Sequence, residues 1–191
     1  MLFVIEHLEP RVSQWLTIEY SSAARIVGRE NLMITNVRDE VERKKLAKFS
    51  MVTGESAASL FNNPRTIVLD PQARRRFHPE DAKEVKAIVV GGILGDDPPR
   101  GRTRELLSGK LSKARKRNIG KSQFSIDGSI FLAKQIAAGH SLEELPCGHE
   151  VEIKVGPGLS VILPFSYPLV NGKPLISKPL VKYLRRKGAT F

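Results

Sequence analysis

The chain has 191 residues, 41% of them hydrophobic and 27% charged, which is enough for one sizeable globular domain, too few for two generous ones, and too apolar to stay disordered. A single cysteine, Cys147, excludes an internal disulfide framework and fits a reducing cytoplasm; no apolar run approaches the roughly 20 residues that span a bilayer, and the opening Met-Leu-Phe-Val-Ile, followed by Glu6 and His7, lacks the basic leader of a signal peptide. The net charge of +11 is lopsided, with 14 basic and 14 acidic side chains in residues 1–99 against 17 and 6 in residues 100–191.

Short apolar runs alternate with helical patterns, which predicts an α/β domain with a mostly parallel sheet. Residues 2–5 read as a first buried strand. Val12, Trp15, Leu16, Ala23, Ile26 and Val27 recur at helical spacing, with Gly28 as the stop. Residues 32–34 read as a second strand, and Asp39 as the cap of a charged helix reaching about residue 48. Residues 53–64, rich in Gly, Ser and Asn, read as a loop or a frayed short helix. A buried strand follows at 66–69, ending in Asp70-Pro71, then one or two helical turns at 79–84 that open on a proline and acids. Residues 87–90 form another buried strand that runs into a glycine-rich loop, 91–99. Beyond it come a basic helix with Leu106, Leu107 and Leu111 facing inward, a strand near 118–120 and a helix over 127–138. The last 45 or so residues hold a hairpin, 151–155 and 159–164 around Gly156-Pro157-Gly158, then a proline-rich stretch and a basic helix at 181–187.

Ligands of open α/β sheets bind beyond the carboxyl ends of the strands, and the loop 91–99 lies at such a place. Its glycines, Gly91, Gly92 and Gly95, let backbone approach a ligand, while Pro98 and Pro99 stiffen the exit. It is no P-loop, since Asp96-Asp97-Pro98-Pro99 stands where Lys-Ser/Thr would open the helix, and it lacks the spacing of a dinucleotide fingerprint. Two adjacent carboxylates repel a pyrophosphate and suit a cation such as a sulfonium. The plainer reading is a tight turn with Asp96 or Asp97 as a helix cap.

The run Gly91-Gly92-Ile93-Leu94-Gly95-Asp96-Asp97-Pro98-Pro99-Arg100, with Arg102-Thr103-Arg104-Glu105-Leu106 behind it, resembles the signature loop of the SPOUT methyltransferase superfamily, in the branch of the fungal SPOUT protein-arginine methyltransferase and its archaeal relatives. A second segment, 119–128, is similar to that family's later loop, although Phe124 and Ser125 stand where Met and Thr are expected, which bears on the substrate-side wall. The resemblance is good over about 65–140 and elsewhere follows the order of elements. It implies an open, mostly parallel sheet with a C-terminal trefoil knot over 1–145, carrying a small basic hairpin-and-helix extension at 146–191. It also implies S-adenosyl-L-methionine as cofactor, held by three loops. Their residues are Leu69, Asp70 and Pro71; Gly91, Gly92, Leu94 and Gly95; and Ile119, Gly120, Ser125 and Asp127, with Ile119, Gly120 and Ser125 contributing mainly main chain.

A guanidinium acceptor keeps its proton at neutral pH, so carboxylates that bind and orient it are the natural catalytic tools. Asp97, Asp96 and Glu105 are the candidates, with Asp97 orienting or deprotonating the acceptor and Asp127 a weaker candidate that caps its helix. Arg100, Arg102 and Arg104 either bind an anionic substrate or pair with those carboxylates. Arg74-Arg75-Arg76 reads as surface and Trp15 as core. No metal is signalled, because His7, His78, His140 and His149 lack ligand spacing. The basic half points to a ribonucleoprotein setting, with a ribosomal protein arginine or a ribosomal or transfer RNA as acceptor. The rival from another class is a non-catalytic RNA-binding module, against which the intact loop argues. A homodimer and a monomer both remain open, the latter if the extension covers the surface that SPOUT dimers share.

Overall fold

The computed structural model describes residues 1–96 and 100–188. Six parallel strands form the main sheet: β1 (Leu2–His7), β2 (Leu32–Thr35), β3 (Met51–Val52), β4 (Thr66–Leu69), β5 (Ala87–Gly92) and β6 (Arg115–Arg117), in the order β3-β2-β1-β5-β4-β6. The mostly parallel α/β sheet expected from the alternating pattern is present. The central pair β1 and β5 run in register from Leu2 opposite Ala87 to His7 opposite Gly92.

Both faces of the sheet are covered, which is why its central strands read as unbroken apolar runs. Phe3, Ile5, Ile67, Leu69, Ile88 and Val90 face one side, where α1 (Gln14–Val27) and α5 (Ile126–Ala137) add Leu16, Tyr20, Ile130 and Leu132. Val4, Val68, Ala87 and Val89 face the other, against Ala57, Leu107 and Leu111. Ser13 caps α1 by accepting from the Leu16 amide at 3.2 Å, and Ser125 caps α5 by accepting from Gly128 at 3.2 Å. Each cap is worth about 1 kcal/mol. Gly28 ends α1 at φ 91°, a left-handed conformation that favours glycine. Asp39 caps α2 (Glu40–Leu46), and short helices α3 (Ala57–Leu60) and α4 (Pro79–Ala82) fill the next two connections.

The strand expected near 118–120 is instead β6, three residues earlier. Its Arg-Lys-Arg sequence carries no apolar signal, and it is an edge strand recruited by backbone pairing of Arg115, Lys116 and Arg117 with Ile67, Val68 and Leu69. The basic helix after the loop is a π-helical turn, Arg104–Ser108, with Leu107 buried and Leu106 partly so. The burial of Arg117 is offset by Asp81 of α4, to whose two carboxylate oxygens it donates at 2.8 and 2.6 Å. These hydrogen bonds hold the Asp81 carboxyl below its ordinary pKa. Asp81→Ala is expected to cost about 3 kcal/mol by stranding the guanidinium. A urea denaturation shift under about 1 kcal/mol would show that the pair behaves like a solvated surface bridge.

The extension is larger than the predicted hairpin. β7 (Cys147–Gly156) and β8 (Leu159–Val170) pair antiparallel, β9 (Lys173–Pro174) adds a short third strand, and α6 (Lys178–Gly188) follows. The extension has its own apolar cluster, in which Ile153, Leu163, Tyr167, Leu180 and Leu184 pack with Trp15 and Ile18 of α1. Trp15 meets Tyr183 edge-on, so it is core, as its helical spacing suggested.

Candidate functional site

The connections after β4, β5 and β6 converge at the carboxyl end of the sheet and enclose a cavity of about 480 Å³, within the size range of small-molecule sites. Of the residues expected to hold a cofactor, Leu69, Asp70, Pro71, Gly91, Gly95 and Ile119 line it, as do Asp96, Arg100 and Arg102. Asp70 is buried and braces its loop, accepting from the Gln72 amide at 2.8 Å and from the Ser108 hydroxyl at 2.5 Å. Gly95 is pressed against the opposite wall: a Cβ there would lie 2.4 Å from Gln123 Nε2 and 2.5 Å from Phe165 Cε1.

The other expected residues lie behind this lining. The Leu94 amide donates to Glu9 Oε1 at 2.9 Å. Gly92 sits where a Cβ would meet the Tyr20 hydroxyl at 2.4 Å. Ser125 and Asp127 form the buried first turn of α5, and Gly120, at φ 103°, lies in the approach to it. Glu105 and Arg104 are exposed on the π-helical turn, and Asp97, Pro98 and Pro99 lie outside the described residues.

The carboxylate-pairing alternative describes Arg102. Its Nε donates to Asp96 Oδ2 at 2.8 Å, Nη1 to Glu9 Oε1 at 3.3 Å, and Nη2 to the Leu94 carbonyl. Gln123, from the later loop, donates to the Asp96 carbonyl at 3.1 Å and ties the two loops together. The extension supports this wall, because the Ser166 amide donates to the Gln123 carbonyl at 2.8 Å. Glu9 escaped the sequence reading, and Gln123 entered it only as part of the segment 119–128, with no role of its own. For Glu9 the available signal was its position just past the first strand, the same strand-end rule that singled out the glycine loop.

Beneath the first turn of α5 lies a pair of buried carboxylates. Glu19 accepts from Trp15 Nε1 at 2.6 Å and from the Ile126 amide at 2.9 Å. Burial, with Asp127 close by, pushes its carboxyl up to about 8, and burial also raises Asp127. No group of three or more His, Cys, Asp or Glu side chains fit to hold a metal ion occurs among the described residues. His149 hydrogen-bonds Ser166 at 2.6 Å, and the half-buried Cys147 is a free cysteine whose thiol pKa burial raises.

Gly95→Ala is expected to weaken cofactor binding about tenfold, since its methyl would push the Gln123 and Phe165 side chains of the cavity wall out of place at roughly 1–3 kcal/mol. Calorimetry with S-adenosylmethionine checks it, and an unchanged affinity would mean that Gln123 and Phe165 yield freely.

The profile of the family described as Protein arginine N-methyltransferase SFM1-like matches residues 2–190. The protein arginine N-methyltransferase SFM1 of Saccharomyces cerevisiae is 28% identical over 205 residues, covering 99% of this chain and 96% of the yeast protein. The crystal structure of yeast SFM1 complexed with SAM superposes with a TM-score of 0.89 at 28% identity, covering 98% of this chain and 91% of the other. Trm10 from Thermococcus kodakaraensis shares the fold, with a TM-score of 0.58 at 20% identity over 75% of this chain and 95% of its own. The chain belongs to the SFM1-like family of protein arginine N-methyltransferases.

Proposed function

We propose that this chain transfers a methyl group from S-adenosylmethionine to an arginine of a ribosomal protein in the cytoplasm. The observation that carries the reading is the match of an arginine methyltransferase family along 2–190, over a cavity built from the loops that the motif singled out. The residues fit the cofactor. A Cβ at Gly95 would press on the Gln123 and Phe165 side chains of the wall, and the apolar walls suit an adenine and a ribose edge. When bound, the cofactor supplies an activated methyl whose leaving group is a neutral thioether. The protein's part is to position the acceptor, exclude water and take up its proton.

The ribosomal setting is supported by the basic second half of the chain. Arg104, Lys110 and Lys113 are exposed on one segment, and Lys178, Lys182, Arg185 and Lys187 on α6. Such a field draws the enzyme to an RNA-clad protein. The same charge favours the second reading, an RNA acceptor, which the fold likeness to Trm10 keeps in play. Because the extension covers Trp15 and Ile18 of α1, the proposal includes a monomer.

The test is to incubate the protein with methyl-labelled S-adenosylmethionine and ribosomal material, then split the product between protease and nuclease. Protease-sensitive label on an arginine is the expected result. Label removed by nuclease instead would establish the RNA reading.

A further inference from the structure

A second cavity, of about 640 Å³, opens at the carboxyl ends of β1 and β2 and is lined by residues including His7, Glu9, Asn36, Asp39 and Glu42. Beyond the central pair β1 and β5 the connections part. The one after β5 leans toward β4 and β6 and walls the cofactor cavity, while the one after β1 leans toward β2 and walls this one. The two cavities meet at Glu9, which lines the second and whose Oε1 accepts from Leu94 and Arg102. Arg102 in turn lines the first.

We propose that this second cavity is the acceptor side-chain site, in which Glu9 receives the guanidinium of a protein arginine beside the cofactor cavity. The assignment rests on the arginine reading above. Glu9 and Glu42 are each fixed through one oxygen: Glu9 Oε1 as described, and Glu42 Oε1 by the Val12 amide at 2.9 Å. The second oxygen of each accepts no hydrogen bond among the described residues, which leaves two oriented acceptors of the kind a guanidinium fork engages.

His7 is a second and independent pointer. It is 4% exposed, it lines the cavity, and its Nδ1 is engaged by the Tyr20 hydroxyl at 3.0 Å. Its Nε2 has no hydrogen-bond partner among the described residues and is not sealed in the core, so it is free to meet a ligand in the cavity that His7 lines. Burial lowers the pKa of the ring, while Glu42 and Glu9 act on it in the opposite sense, so both carboxylates lie within electrostatic reach of His7. A neutral imidazole near two carboxylates adds no positive charge of its own to the cavity. Asn36 holds φ 61° while its amide donates to the His7 carbonyl at 2.7 Å, fixing the far wall. Arg11 and Arg38 also line the cavity but are exposed, whereas Glu9 and Glu42 are partly buried. A phosphate backbone would meet three carboxylates here, which disfavours RNA as the occupant of this cavity.

The test uses the full chain saturated with S-adenosylhomocysteine and titrated with agmatine, a small guanidinium compound, following the His7 ring nitrogens and the Asn36 side-chain amide by NMR. Both signals are expected to move. Glu9→Gln, which keeps an oxygen for the Leu94 amide, is expected to weaken agmatine about tenfold, and Glu42→Gln less, as charge-assisted hydrogen bonds become neutral ones. With a ribosomal-protein acceptor, Glu9→Gln should raise KM about tenfold while S-adenosylhomocysteine affinity stays within about twofold. Agmatine that perturbs only the Gln123 wall, or that binds Glu9→Gln as well as the parent, would overturn the assignment. The protease-and-nuclease split tests the arginine reading separately. Nuclease-sensitive label ends that reading, whereas agmatine binding that ignores Glu9 ends the site assignment alone.

Discussion

Glu19→Gln is expected to flatten the dependence of stability on pH. The carboxyl is fully enclosed and shares its surroundings with Asp127, with no cation among its hydrogen-bond partners, so burial favours the protonated form and lifts its pKa from 4.5 to about 8. Because the folded-state value is the higher one, the folded protein holds this proton while the unfolded chain releases it. The contribution is therefore fully present below about pH 4.5 and fades as pH rises toward 8, by about 1.4 kcal/mol per unit. Glutamine cannot ionise, but one of the two donors it inherits, Trp15 Nε1 or the Ile126 amide, then faces an amide N–H, at a cost of about 1–2 kcal/mol. The parent should accordingly be the more stable at pH 5, and the variant should match or exceed it at pH 9. Urea midpoints at the two pH values measure this, and parallel pH profiles would show that Glu19 is ionised in the folded protein throughout. The comparison has to be made as a difference between the two proteins, because the depressed His7 pushes stability the other way, its contribution lost as pH falls below about 6.5. The raised Glu6 acts in the same direction as Glu19.

How much of this was legible follows from what burial leaves in a sequence. β1, β4 and β5 are covered on both faces, so residues 2–5, 66–69 and 87–90 announce themselves as apolar runs. β6 is an edge strand of three basic residues held by backbone pairing, and β3 and β9 have two residues each; none has room for a pattern. The second arm of the hairpin was ended at Pro164, where a proline-rich stretch begins, whereas β8 runs on through Pro164 and Pro168. The glycine loop was legible because close backbone approach has a residue signature. Glu9 has only its place just past the first strand and no residue signature: it becomes part of the site when the chain after β5 sets the Leu94 amide and Arg102 beside it. Glu19 was hidden for a related reason. Its position on α1 says nothing of burial until the first turn of α5 and Tyr167 of the extension close over it.

Among the three carboxylates that motif and chemistry nominated, the structure separates Asp96 from Glu105. Asp96 lines the cofactor cavity, binds Arg102 at 2.8 Å and is connected through it to Glu9 of the second cavity, so it stands on the seam between donor and acceptor. Glu105 is exposed and forms no ion pair among the described residues. Asp96→Asn keeps the size of the side chain but removes the charge that orients Arg102 and offsets a cationic acceptor. It is expected to lower kcat about 100-fold or more, the range for loss of an oriented charged group at a reacting centre. S-adenosylmethionine affinity should stay within about threefold, since the backbone and apolar walls remain. Glu105→Gln should leave both constants close to those of the parent. A loss confined to cofactor affinity would make Asp96 a binding residue only. Equal losses in the two variants would instead place the chemistry on the charge of the whole segment rather than on the seam, and Asp97→Ala would then be the variant to measure against both.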